Sequence, residues 1–219
     1  LEFRTPLNSI IGFTGILLQH LAGPLSEDQT KQLTIIKLAG QHLLSLVNDV
    51  LDISKIEAGE LHIDIEPVDL PELLQQTADS FRPEATAQGL KFTLDVEPGA
   101  GLIYSSERRL QQVLNNLITN ALKFTDHGEI RLICQKRGEE VRIEVRDTGI
   151  GIAGDDIAKL FKPFSQLEVR PARVAQGTGL GLAICRRIVE ALGGKIGVTS
   201  TLKSGSCFYV TIPVRGNPS

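Results

Sequence analysis

Long apolar runs are missing from this 219-residue sequence. None approaches the roughly 20 residues that a membrane-spanning helix needs, and no cleavable leader is expected. As written, the sequence is expected to be that of a soluble protein. Dense clusters of Lys and Arg are missing too, and the formal net charge is -3. A surface built to neutralise a nucleic-acid backbone needs such clusters, so nucleic acid is not an expected partner. Cysteine is scarce: Cys134, Cys185 and Cys207 are odd in number and lack the spacing of a metal knuckle or a redox pair. Lying in apolar periodic segments, they read as core thiols of a protein in a reducing, cytoplasmic setting. Internal repeats and low-complexity stretches are absent, and 42% hydrophobic with 22% charged residues is the composition of a globular fold.

What is present begins with a helical pattern. Leu7, Ile10, Ile11, Thr14, Leu17, Leu18 and Leu21 recur at the three-and-four spacing of an amphipathic helix, with Pro6 near its start. After a break at Ala22-Gly23-Pro24, Ser26 is placed to cap a second helix carrying Leu33, Ile36, Leu43, Leu44, Val47, Val50 and Leu51. Two helices with wide apolar faces cannot cover both faces against each other. A homodimer completing a four-helix bundle is therefore expected. Because the pattern begins in mid-helix without Met, the chain is expected to be cut from a longer protein whose sensor domain, and any membrane anchor, lie upstream.

The period changes to two at Leu61, Ile63 and Ile65, which sets an expected boundary between residues 1–59 and 60–219. Beyond it the pattern predicts helices over 70–87, 107–124 and 180–192. Strands are predicted over 91–96, 102–104, 130–135, 141–147, 195–200 and 206–214, and residues 148–176 read as irregular. Grouped strands interspersed with helices predict an α+β sandwich, one mixed sheet with helices on one face.

Three features carry chemistry. Asn116, Asn120 and Lys123 fall at i, i+4 and i+7 of the predicted helix and share a face. Two amides and an ammonium suit a magnesium-nucleotide site, although a solvated helix face reads the same way. In the strand Val141, Ile143, Val145, alternation aims Asp147 inward with the apolar residues. A buried carboxylate requires partners: backbone amides, a water or a ligand amine. A simple turn start is the alternative. Two glycine-rich pieces follow, Asp147-Thr148-Gly149-Ile150-Gly151 and Gly177-Thr178-Gly179-Leu180-Gly181, the second opening a helix where free amides bind anions. Neither matches a lysine-containing phosphate loop or the dinucleotide fingerprint, and structural glycines in a tight connection explain either piece as well.

The order of the Asn face, the first glycine piece, Phe161-Lys162-Pro163-Phe164 and the second glycine piece resembles the catalytic domain of sensor histidine kinases, with its Bergerat-type ATP-binding sandwich. The run Glu2-Phe3-Arg4-Thr5-Pro6-Leu7-Asn8 is similar to the segment that follows the phosphoacceptor histidine in the same family. The resemblance implies ATP and Mg2+ as cofactors. It implies that Asn120 coordinates the metal, Asn116 orders that site, Lys123 contacts phosphate and Phe124 lies against adenine. Asp147 would accept the adenine amino group, with Gly149 and Gly151 leaving room for the base. A lid would span about 151–176, anchored by Phe161 and Phe164, while Gly177, Thr178, Gly179, Leu180 and Gly181 would wrap the phosphates.

The family's histidine position is occupied by Leu1, which has no nucleophile. A truncation artefact, an inactivating substitution and a natural kinase-like protein that signals without chemistry all stay open. His20, His42, His62 and His127 sit in no comparable context. The resemblance further implies that Glu2 assists proton transfer, that Thr5 orients water for dephosphorylation, and that a receiver domain of a response regulator is the partner. The related chaperone and mismatch-repair ATPases would carry a Glu where Asn116 stands, so ATP hydrolysis is expected to be slow at most.

Overall fold

The computed structural model describes residues 4–21, 23–57, 63–165 and 178–214. The chain forms two compact units, residues 1–61 and 62–219. In the first, α1 (Arg4–Leu18) and α2 (Glu27–Glu57) form a helical hairpin. Pro6 stands in the first turn of α1, where a missing backbone N–H leaves no bond unmade. The cap expected at Ser26 is a reciprocal one: Gln29 N donates to Ser26 Oγ at 3.2 Å, and Ser26 N donates to Gln29 Oε1 at 2.8 Å. The helices approach closely at Gly40, where a Cβ would stand 3.1 Å from the Ile11 side chain. Leu7 and Thr14 are buried, while Phe13, Ile35, Leu38 and Val50 are exposed.

The second unit is built on a five-stranded sheet, β2 (Lys91–Val96), β4 (Glu129–Arg137), β5 (Glu140–Asp147), β7 (Ser206–Pro213) and β6 (Lys195–Ser200), in the spatial order β2-β4-β5-β7-β6. Only the β2–β4 pairing is parallel. Three helices pack on it: α3 (Leu70–Ala87) against β2, α4 (Glu107–Phe124) against β5 and α6 (Gly181–Ala191) against β6. The interface is apolar because each element presents one face. Leu110, Leu114 and Leu117 of α4 are fully buried, as are Ile130, Leu132 and Ile143 of the sheet. On the opposite face Glu144, only 2% exposed, is held between Arg142 and Arg146. Cys134 and Cys185 are buried and Cys207 half-buried. Burial, with Glu97 adding to it, pushes the Cys134 thiol up to about 12, as an inert core residue requires.

Three details differ from the sequence expectation. A single sheet was expected, but β1 (Glu66–Asp69) and β3 (Leu102–Ser105) form a separate two-stranded antiparallel ribbon. Tyr104 N of this ribbon donates to Val214 O, just past β7, at 2.9 Å. The alternation at Ile63 and Ile65 precedes a strand that starts only at Glu66 and includes Pro67, which a strand at a sheet edge tolerates. The stretch read as irregular holds one short helix, α5 (Gly154–Ile157). Among the described residues no helix is long and apolar enough to cross a membrane.

Replacing Ser26 with Ala removes one half of the reciprocal cap. This is expected to cost α2 about 1 kcal/mol, seen by circular dichroism as earlier melting of the hairpin, with Ser26→Thr close to the parent.

Candidate nucleotide site

On α4 the residues Asn116, Asn120 and Lys123 are half-buried, whereas Asn115 and Thr119, each one residue before an Asn of that face, are exposed to solvent. Asn120 Nδ2 donates to Asn116 Oδ1 at 3.1 Å. That bond engages the Asn116 carbonyl and turns the Asn120 amide so that its own carbonyl oxygen, a hard ligand, is the group left unspent among the described residues. Lys123 Nζ lies 5.3 Å from the centroid of the Phe124 ring. Burial holds the ammonium below its ordinary pKa.

The first glycine piece leaves β5 directly beneath the last turn of α4. Asp147 pairs in register with Ile130 on one side and Ser206 on the other, so it lies on the same face as the buried Val141, Ile143 and Val145. The inward aim read from alternation is the one observed. Gly149 N and Ser206 N both donate to Asp147 Oδ1, at 2.9 Å and 3.2 Å. Among the described residues no donor reaches Oδ2. Burial raises the carboxyl above its ordinary value, and the two backbone amides pull it partway back.

Gly149 and Gly151 are there because nothing larger fits. A Cβ on Gly149 would stand 2.2 Å from Phe124 O, the same carbonyl that accepts Ile150 N at 3.1 Å. At Gly151, with φ of +67°, it would stand 2.0 Å from Thr201 O. Thr148 ties the neighbouring turn: its Oγ1 accepts Glu129 N at 3.0 Å.

The second glycine piece closes the site from the other side. A Cβ on Gly181, the first residue of α6, would stand 2.2 Å from Asn116 Nδ2. The N-terminus of α6, the end at which a helix offers amides to anions, is thereby set against the polar stripe of α4. Gly179, with φ of +70°, would place a Cβ 2.8 Å from the Phe164 carbonyl carbon, and Phe164 itself has φ of +59° and is 72% exposed. Leu180, buried, takes its N–H to Thr178 Oγ1 at 3.0 Å. Phe161 is half-buried.

The structure therefore brings together Asn116 with Gly181, Phe124 with Gly149, and Phe164 with Gly179. Leu1, Glu2, Gly177 and lid residues 166–176 lie outside the described residues. Thr5 is exposed in the first turn of α1. Sequence reasoning missed the turn between β6 and β7, which supplies Thr201 O, Lys203 N and Ser206 N to the first glycine piece. Its signal was the Ser204-Gly205-Ser206 run, read only as a strand boundary.

Residues 105–216 match the family model described as histidine kinase-, DNA gyrase B-, and HSP90-like ATPase, and residues 2–59 match the His Kinase A (phospho-acceptor) domain. The chain is 40% identical to the non-motile and phage-resistance protein of Caulobacter vibrioides over 98% of its own length and 26% of that protein. It is also 40% identical to the circadian input-output histidine kinase CikA of Synechococcus elongatus, over 97% of its length and 28% of the relative. The chain thus spans about a quarter of these relatives. Among solved structures it is similar to full-length ShkA in complex with AMPPNP, with a TM-score of 0.80 and 36% identity over 100% of this chain and 45% of that one. It is similar too to histidine kinase ThkA in complex with the response regulator TrrA, with a TM-score of 0.64 and 25% identity over 97% and 59% of the two chains.

Because the Asp147 carboxyl titrates higher folded than unfolded, its charged form costs stability. That cost is absent below the ordinary carboxylate pKa of about 4 and grows as pH rises through the raised value. Melting curves of Asp147→Asn and the parent are therefore expected to converge at low pH, with the variant gaining on the parent as pH rises. Parallel curves would show that Asp147 is not desolvated.

Proposed function

The chain belongs to the histidine kinase-, DNA gyrase B-, and HSP90-like ATPase family, as the catalytic core of a two-component sensor kinase, and from that premise we propose that it binds Mg-ATP for protein-histidine phosphorylation. Residues 62–219 are the ATP-binding catalytic domain. The hairpin is the dimerisation and phosphotransfer domain, from whose histidine, in the intact parent, phosphate passes to an Asp of a response regulator. The observation that carries this reading is the meeting of α4 and α6 at Asn116 and Gly181. It sets the polar stripe of α4, with the Asn120 carbonyl oxygen, beside the N-terminus of α6, as a metal-bound polyphosphate requires.

The residues present fit magnesium. Among the described residues no group of three His, Cys, Asp or Glu could hold a metal alone. An ion bound through one or two protein oxygens and completed by phosphates and water needs no such group. Asn120 Oδ1 is the ligand, oriented by the bond to Asn116. Magnesium, when bound, neutralises charge that develops on the transferring phosphoryl group. Lys123 adds positive charge beside it, and Gly177, Gly179, Gly181 and the α6 amides wrap the phosphates. Asp147 accepts a hydrogen bond from the adenine amino group, and Phe124 lies against the base. Phe161 and Phe164 anchor the lid. Glu2 assists proton transfer at the acceptor, and Thr5 orients water for dephosphorylation of the partner.

Exposed Phe13, Ile35, Leu38 and Val50 on the hairpin support a homodimer, since a second copy would remove them from water. ATP chemistry places this core in the cytoplasm, with an upstream sensor domain, and with it any membrane anchor, belonging to the parent. Leu1 supports a second reading, in which this chain is a nucleotide-binding dimeric scaffold without phosphotransfer.

Calorimetric titration of Mg-ATP into the chain and into Asn120→Ala tests the site. Binding weakened at least about tenfold in the variant is expected. No binding to the parent chain would sink the ATP-binding reading.

A further inference from the structure

Behind the first glycine piece lies the β6–β7 turn, which the proposed chemistry leaves without a role. Ser200, Ser206 and Asp147 form one row across it: Ser200 pairs in register with Ser206, and Ser206 with Asp147, on adjacent strands β6, β7 and β5. The next row inward is Val198, Phe208 and Val145. Three polar groups thus end an otherwise apolar face, on the side that α4 and α6 cover.

Ser200 is the hub of this row. Its Oγ accepts Ile152 N at 2.8 Å, lies 2.8 Å from Gly205 O and lies 3.0 Å from Ser206 Oγ. A hydroxyl has one proton and two lone pairs. The proton goes to the Gly205 carbonyl, which cannot donate. Ser206 is then the donor of the serine pair, and Ile152 N–H takes the second lone pair. All the bonding capacity of Ser200 is spent on three points: the exit of the glycine piece and two successive residues at the start of β7.

The turn so fixed presses on the glycine piece at four places. Ser206 N donates to Asp147 Oδ1 at 3.2 Å, and Lys203 N donates to Ile150 O at 2.6 Å. A Cβ on Gly205 would stand 2.0 Å from Asp147 O, and one on Gly151 would stand 2.0 Å from Thr201 O. Displacement of the turn therefore moves both the backbone and the carboxylate of Asp147.

We propose that Ser200 is a positioning residue for base recognition, holding the β6–β7 turn so that Asp147 is fixed where the adenine amino group is read. This rests on the ATP-binding reading above. Ser200 would act through Ile152, Gly205 and Ser206, to which its hydroxyl is committed. It should therefore govern discrimination between bases rather than affinity for the triphosphate.

The test compares Mg-ATP with Mg-ITP, whose base carries a carbonyl in place of the adenine amino group, in calorimetric titrations of the full chain. The parent is expected to prefer ATP. Ser200→Ala is expected to lower the ratio of ATP to ITP affinity about tenfold, with ITP affinity unchanged, and Ser200→Thr to restore most of the ratio. If Ser200→Ala does not fold, Ser206→Ala, which removes one bond of the three, is expected to lower the ratio about threefold. An unchanged ratio in the folded variant, or a parallel loss of both nucleotides, overturns the proposal while leaving ATP binding intact. A parent that binds neither nucleotide overturns the ATP-binding reading and this proposal with it.

Discussion

One short length of backbone, residues 147–152, has to pass between the last turn of α4 and the β6–β7 turn with no room for a side chain at Gly149 or Gly151. That constraint fixes the rest of the site. Phe124 O lies against Gly149 and accepts Ile150 N, while Thr201 O lies against Gly151 and Lys203 N reaches Ile150 O. Held from both sides, the segment has little freedom, and the carboxylate that begins it keeps one orientation. Such preorganisation is what a binding group needs if ligand energy is not to be spent ordering it.

The same geometry has an electrostatic consequence. Asp147 is desolvated at the end of an apolar sheet face, which disfavours its charge, and two backbone amides offset only part of that. A half-buried carboxylate with an oxygen that no described donor reaches is poised for a donor from outside. Stability and recognition pull against each other here, a pattern expected where a fold accepts local cost for function. Elsewhere the sheet shows no such conflict: Glu144, more deeply buried than Asp147, is matched by two guanidiniums.

Much of this was legible from local pattern. The helices at 70–87 and 107–124 have the expected bounds, because their apolar residues recur at helical spacing and, for the first, Asp69 caps the start. The inward aim of Asp147 follows from strand alternation alone. The i, i+4 placement of Asn116 and Asn120 is enough to make them neighbours, and they are bonded. What stayed hidden depends on pairing between distant segments. Nothing near Glu66 or Leu102 reveals that those strands pair with each other and form a ribbon of their own. Likewise Ser200 looks like an ordinary strand end until register sets it beside Ser206 and Asp147. The meeting of Gly181 with Asn116 is a contact between two helices, which neither helix pattern encodes.

The most direct measurement is the affinity of Gly149→Ala for Mg-ATP, taken with its circular dichroism spectrum. If close backbone approach at Phe124 is what positions Asp147, the added methyl displaces the segment. Affinity should then fall at least about tenfold in a protein that keeps its helix and strand content. A folded Gly149→Ala that binds Mg-ATP as tightly as the parent would contradict the account.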